Sequence, residues 1–259
     1  APGAVRMTAG RVVFIGAGPG SADLITVRGA RRLAEADVVL FDALTDPALR
    51  AYAPHALWVD VGKRGYCDAT GQATIDALLV RHAHEHRTVV RLKGGDASVF
   101  GRLEEELQAL AAAGIACAAV PGVTAAIAAA AHTQRPLTRR GSGRSVSLTT
   151  AMTRQGLLQA GRHADTEVFY MAGRQLGALG RGLLQAGWPD GTPVCVVSRA
   201  GWPDALCSDH ALHELAAAAV LHAGRPTVVT VGAGARALAR PSACPGLEPA
   251  QARRAVTAT

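Results

Sequence analysis

The amino-acid sequence predicts an α/β protein on three observations. Short β-rich apolar runs alternate with longer helical patterns over most of the 259 residues, glycine-rich turns follow several of those runs, and aromatic residues make up only 4%. With 49% hydrophobic residues and Ala and Gly abundant, the core has to be built from Val, Leu, Ile and Ala, which suits helices packed on parallel strands.

In chain order, strands are expected at RVVFI (11 to 15), DVVLF (37 to 41), LWVDV (57 to 61), TVVRL (88 to 92) and CAAV (117 to 120). Helical spacing connects them over 22–36, 71–86, 99–113 and 123–132. Pro, Gly and Ser then collect in RPLTRRGSGR (135 to 144) and interrupt both periodicities, which places a boundary near 136–144. A second set follows: SVSLTT (145 to 150), EVFYM (167 to 171), PVCVV (193 to 197) and TVVTV (227 to 231), with helices expected at 174–187 and 209–223. The organisation read from this is an N-terminal α/β domain over 11–137 and a C-terminal α/β domain over 138–240. Residues 241–259, with three prolines and no sustained period, read as a flexible tail.

Composition narrows the function classes. No apolar run approaches the roughly 18 residues of a membrane span. The first ten residues lack the apolar stretch of a signal peptide, so a cytoplasmic location is expected. The five cysteines are odd in number, widely spaced and never in a C-x-x-C pair, against both a disulfide framework and a zinc site. His82, His84 and His86 in RHAHEHR imitate a ligand set, but residues two apart on a helix do not share a face, so a solvated helix end is the expected reading and no metal is expected. The net charge of +7 favours an anionic partner. Nucleic acid is not the expected one, because aromatic residues are too few and scattered to form stacking platforms. Arg135, Arg139, Arg140 and Arg144 read equally well as a solvated connection or as a grip on substrate carboxylates.

The first strand runs into GAGPGSADL, and Asp42 closes the second strand where a dinucleotide-binding acid would stand. Gly16 and Gly18 fit the G-x-G-x-x-G template, but its third position is Ser21, and Pro19 removes a backbone N–H that a pyrophosphate would use. A second glycine turn follows the fourth strand in LKGGDASVFGR, and a third follows the fifth in VPGVTAAIAAAA. Neither is a phosphate loop, since Lys93 precedes its glycines. Any one of these glycines completes a tight turn; three such turns at the same carboxyl edge favour a bound cofactor approached by backbone.

In order, VVFIGAGPGSADLITVRGARRLAEADVVLFDAL, VGKRG, GQATIDALL, VVRLKGGDASVFGR, VPGVTAAIAAAA, RPLTRRG and VFYMAG resemble the successive motifs of the tetrapyrrole methylase family, in particular its uroporphyrinogen-III C-methyltransferases, over residues 11 to 236. The resemblance implies two α/β domains with the cofactor in the interdomain cleft, a homodimer, and S-adenosylmethionine as methyl donor with no metal. It implies conversion of uroporphyrinogen III to precorrin-2 by way of precorrin-1, in sirohaem or cobalamin synthesis. It implies that Pro19, Gly94, Gly95, Asp96, Val99, Thr124, Ala125, Met171 and Ala200 hold the cofactor, with Asp42 as proton acceptor and Lys63 as proton donor. Other readings of the residues stand beside these roles: Asp42 as a strand-end cap, and Lys63 with Arg64 as attractors of substrate carboxylates.

Several positions depart from the family pattern. Ala97 replaces a proline after GGD, Ala43 stands where an arginine often follows the acid, Arg139 replaces a histidine, TTAM (149 to 152) replaces a T-G-H, and Ala172 replaces a glycine. These fall mostly on the acceptor side, so a later precorrin methylase and a non-catalytic binding protein are the alternatives.

Overall fold

The computed structural model describes residues 10–62, 71–151, 158 and 160–238. In the N-terminal half, five strands form one sheet: β1 (Arg11–Gly16), β2 (Val38–Phe41), β3 (Leu57–Asp60), β4 (Thr88–Lys93) and β5 (Ala116–Val120). Their order is β3-β2-β4-β1-β5 and every pairing is parallel. Helices α1 (Val27–Leu33), α2 (Gln72–Glu85) and α3 (Leu103–Ala112) connect them.

Strand alternation explains the continuous apolar runs, because both faces are covered. Val12, Phe14, Val38, Leu40 and Val89 pack against Ile75 and Leu79 of α2 and Leu110 of α3. Val13, Ile15, Val39, Val90 and Leu92 face the other way, onto Leu33 of α1 with Leu49 and Ala53.

Helix α4 (Ala125–Thr133) leads to the second sheet, formed by β6 (Val146–Thr150), β7 (Thr166–Tyr170), β8 (Pro193–Ser198), β9 (Leu206–Ala211) and β10 (Thr227–Gly232). Its order is β6-β7-β10-β8-β9; β6 and β7 are parallel and the other pairs antiparallel. Helix α5 (Leu176–Gln185) and the short α6 (Ala218–His222) cover one face, where Leu176, Leu179 and Leu183 meet Phe169, Val194, Val196 and Val229. The other face belongs to α4, whose Ala126, Ala128 and Ala129 join Val168, Tyr170, Cys195 and Val197.

Three expectations are corrected. The helix expected at 209–223 begins with strand β9, whose Ser208, Asp209 and His210 lack an apolar alternation; pairing with β8 at the sheet edge overrides that weak local pattern. The helix expected at 22–36 splits into a 3₁₀ turn at Ala22–Leu24 and α1, because extended Thr26 caps α1 by accepting the Gly29 N–H at 3.0 Å. The helix expected at 99–113 starts at Leu103, since Phe100 and Arg102 adopt φ of 53° and 55°.

The His82 region is also corrected: of its three histidines only His84 is exposed, His86 is half-buried and His82 is buried at 4% exposure. The predicted tail at 241–259 lies outside the described residues. No described helix is long and apolar enough to cross a membrane.

Candidate active site

Parallel pairing in register brings the three glycine turns to one carboxyl edge. After β1 and β4, Gly18 and Gly95 exchange backbone hydrogen bonds of 3.2 and 2.7 Å, both residues with positive φ. The third turn packs into them so closely that a Cβ on Gly122 would lie 2.3 Å from the Gly95 carbonyl oxygen, and one on Gly16 2.6 Å from Gly122 Cα. Only glycine permits that approach.

Asp96 braces the junction from inside. Its Oδ2 accepts the Gly122 N–H at 2.7 Å and its Oδ1 accepts the Ser98 N–H at 2.8 Å, with the Ser98 hydroxyl on the same oxygen. Burial alone would raise its pKa, but the hydrogen bonds from Ser98 and Gly122 hold it below the usual carboxylate range.

The second sheet supplies the opposite wall. Ser21 N–H donates to the Gly201 carbonyl at 2.9 Å, and a Cβ on Gly20 would meet the Gly201 carbonyl carbon at 2.3 Å, so the first turn is docked on the loop after β8. Thr124 and Tyr170 join their hydroxyls at 2.7 Å, and the Tyr170 oxygen also accepts the Ala126 N–H at 3.3 Å.

Between these walls lies a mostly apolar cavity of about 210 Å³. Pro19, Gly94, Gly95, Val99, Thr124, Ala125, Met171 and Ala200 all line it; Asp96 does not, and acts on it through Gly122. The sequence reading missed Leu44, Phe100, Tyr170, Arg199, Trp202 and the Pro226–Val228 segment, which also line it. Tyr170 had a signal, since it stands in the EVFYM run beside Met171, whereas Pro226–Val228 arrives only through pairing of β10 with β8.

A second cavity of about 570 Å³ adjoins the first across Leu44 and Phe100, which line both. Among the described residues, Arg91, Lys93, Arg102 and Arg174 line it with a single acid, Asp42. Beneath it runs a buried ion network. Arg91 donates from Nη2 to Asp42 Oδ1 at 2.7 Å and from Nε to Glu106 Oε1 at 3.0 Å, while Lys93 Nζ donates to Glu106 Oε2 at 2.8 Å. Glu106 is fully buried, Arg91 and Lys93 nearly so, and Asp42 keeps 31% of its side chain exposed. Against the cost of burial, the carboxylates of Asp42 and Glu106 raise the Arg91 pKa; burial, then Arg91, lowers that of Lys93. The signal for this network was in the sequence: two cations inside an otherwise apolar strand, VVRLK.

Lys63 and Arg64 lie outside the described residues, as does Met152 of TTAM. The reading of Arg135 as a substrate grip is corrected. Its guanidinium is buried on Asp209, with one contact at 2.7 Å, and on the Ala235 carbonyl at 3.0 Å, so it ties the end of α4 to β9. Arg139 donates to the Arg236 carbonyl, and Arg140 and Arg144 are exposed and line neither cavity.

With this geometry in place, a family model described as Tetrapyrrole (Corrin/Porphyrin) Methylases matches residues 11–216. The chain belongs to the tetrapyrrole methylase family. Among tetrapyrrole methylases, a uroporphyrinogen-III C-methyltransferase of Pseudomonas aeruginosa is 43% identical over 195 residues, covering 74% of this chain and 80% of the relative. A siroheme synthase of Edwardsiella ictaluri is 42% identical over 75% of this chain, but the match spans only 43% of that longer protein.

Two solved tetrapyrrole methylases superpose closely. The uroporphyrin-III C-methyl transferase of Thermus thermophilus complexed with S-adenyl homocysteine gives a TM-score of 0.76 at 36% identity, over 86% of this chain and 97% of that one. A cobalt precorrin-4 methyltransferase gives the same TM-score of 0.76 at 29% identity, over 86% and 94%. Two family members named for different acceptors thus match equally well, so backbone shape does not select the acceptor.

Proposed function

We propose that this chain is an S-adenosylmethionine-dependent C-methyltransferase that converts uroporphyrinogen III to precorrin-2 by way of precorrin-1, in sirohaem or cobalamin synthesis. The observation that carries this reading is the pair of adjoining cavities: one apolar and edged by glycine backbone, the other lined, among the described residues, by Arg91, Lys93, Arg102 and Arg174 with Asp42, and Leu44 and Phe100 shared between them. The 43% identity to a uroporphyrinogen-III C-methyltransferase supports this choice of acceptor.

The apolar cavity fits the cofactor. Gly94 and Gly95, the latter packed against Gly16 and Gly122, edge the space with backbone, and Pro19, Val99, Met171 and Ala200 supply apolar surface. When bound, S-adenosylmethionine supplies an electrophilic methyl on a sulfonium. The chain's own work is alignment and exclusion of water. Thr124 and Ala126, both bonded to the Tyr170 hydroxyl, hold Ala125 between them and, with Gly94, Gly95 and the Asp96 brace, fix the donor side. The exposed Arg102 and Arg174 offset carboxylates of a polyanionic acceptor, while Arg91 and Lys93 are held beneath by Asp42 and Glu106. Methylation of a pyrrole carbon releases a proton from the macrocycle, and Asp42, partly exposed in the second cavity, is positioned to accept it. Lys63 of the VGKRG motif is proposed as the proton donor that the family resemblance implies.

The division at 137 and 138 is part of this proposal, with α4 as the element that reaches across: it belongs to the first segment but packs on the second sheet. A cytoplasmic homodimer is proposed as well; Val27 at 68% and Ile127 at 53% exposure supply apolar surface for a second copy. Incubating the protein with uroporphyrinogen III and S-adenosylmethionine tests the main reading, with a product two methyl groups heavier expected by mass spectrometry. Ala43, which removes a cation beside Asp42, favours a later precorrin methylase as the second reading. Turnover of a methylated precorrin without turnover of uroporphyrinogen III would select it.

A further inference from the structure

The histidine cluster of α2 has a property that its two-residue spacing conceals. His82 and His84 are on different faces, as are His84 and His86, but His82 and His86 are four apart and share one face, with Glu85 beside them. The fold realises that geometry at the C-terminal end of α2. The His82 and His86 rings lie 5.7 Å apart between centroids, inclined by 35°, while His84 is turned to solvent.

His82 is the unusual member. Its side chain is 5% exposed, yet its Nδ1 is buried with no hydrogen-bond partner among the described residues. The nearest carboxylate oxygen, Glu85 Oε2, stands 3.7 Å away, beyond hydrogen-bond reach. A buried ring nitrogen left in this way carries a desolvation cost that a ligand would relieve.

We propose that His82, Glu85 and His86 bind a divalent transition-metal ion such as Zn²⁺, at a site remote from the cleft. One donor atom from each residue lies within 4.8 Å of the others. Tetrahedral Zn²⁺ needs neighbouring donors about 3.4 Å apart, a contraction that rotation of the exposed Glu85 side chain and the half-buried His86 ring provides. Two imidazole nitrogens and one carboxylate oxygen select Zn²⁺, Ni²⁺ or Cu²⁺ over Mg²⁺ or Ca²⁺. A fourth position is left to water. Burial, then Arg81, lowers the His82 pKa, which keeps its imidazole in the neutral form that ligates.

The location assigns the ion a structural role. Helix α2 ends just before β4 begins at Thr88, whereas the Gly94–Gly95 turn lies at the other end of β4. At this far edge Gly10 N–H donates to the Ala83 carbonyl at 2.7 Å and Arg11 N–H to the Arg87 carbonyl at 2.9 Å. An ion on His82, Glu85 and His86 would clamp the last turn of α2 to its cap and so to the starts of β1 and β4. A second cluster, Cys195, Cys207 and Asp209, is less suited, because Asp209 is already held by the Arg135 guanidinium.

The test is calorimetric titration of Zn²⁺ into the untagged, chelator-treated full chain, with thermal unfolding followed in parallel. One ion per chain and a raised Tm are expected. His86→Ala and Glu85→Gln, both at solvent-accessible positions, should each weaken binding by at least about tenfold, and His84→Ala should leave it unchanged. Circular dichroism shows that the variants keep the fold, and the conservative Glu85→Gln decides the matter if His86→Ala does not. Co²⁺ should give a ligand-field spectrum without a thiolate charge-transfer band. The site is refuted if no ion binds, if His84→Ala weakens binding as much as His86→Ala, or if the thiolate band appears and Cys207→Ser abolishes it.

Discussion

The carboxylate of Asp42 accepts a 2.7 Å hydrogen bond from Arg91, and Arg91 in turn is held by fully buried Glu106 at 3.0 Å. Asp42 therefore meets the second cavity with one oxygen fixed from beneath. Its environment joins the acceptor side to the interior of the N-terminal sheet.

Replacing Asp42 by Asn keeps the shape and removes the proton acceptor. We expect kcat to fall by about 10²-fold or more. Affinity for S-adenosylhomocysteine should be unchanged, because Asp42 does not line the apolar cavity. Steady-state rates with calorimetry check both parts, and loss of cofactor affinity would place Asp42 in the donor site instead.

Removing Glu106 alone leaves two nearly buried cations without their shared carboxylate. Glu106→Leu should destabilise the fold by roughly 3–5 kcal/mol, measured by urea denaturation. Combining it with Arg91→Met and Lys93→Met, which removes the stranded charges, should recover much of that loss. A Glu106→Leu variant as stable as the parent would show that the network contributes little.

At the junction of the three turns the expected failure is local. A methyl on Gly122 meets the Gly95 carbonyl oxygen at 2.3 Å, backbone against backbone, so Gly122→Ala must part the loops. Cofactor affinity should drop by more than about tenfold, at roughly 1.4 kcal/mol per decade. Gly71→Ala, where nothing among the described residues lies within 4 Å, serves as the control and should bind normally.

Stability should fall with acid before any carboxylate titrates. His222 is fully buried between Ser198 and Ser208, at 2.9 Å from each hydroxyl, and burial, then His210 and Arg225, lowers its pKa below the ordinary histidine value. The folded state then binds fewer protons than the unfolded chain, so this contribution is complete above the unfolded histidine pKa and is lost as pH falls below it. His82 acts in the same direction. Thermal midpoints between about pH 7.5 and pH 5 should decline, and His222→Asn should flatten that decline. An unchanged slope in the variant would remove His222 as its source.

The α/β class, most strands and the three glycine turns were legible in the sequence, because each depends on local periodicity or on a backbone requirement that glycine alone meets. Gly18, Gly95 and Gly122 could be assigned to one edge from the sequence alone, since parallel strands fed by helices end together. Strand β9 was not legible: Ser208, Asp209 and His210 carry no alternation, and only hydrogen bonding to β8 makes them a strand.

What the tertiary structure alone decided is partnership. Arg135 and Arg91 look alike as cations in a basic chain, yet one is buried on Asp209 and the other joins Asp42 to Glu106. His82 and His84 look alike as helix-end histidines, yet one is buried and the other is in solvent. A sequence records which groups exist and how they repeat along the chain. Which charges meet, and at what burial, depends on contacts between residues distant in sequence, and those are fixed only when the sheets and helices pack.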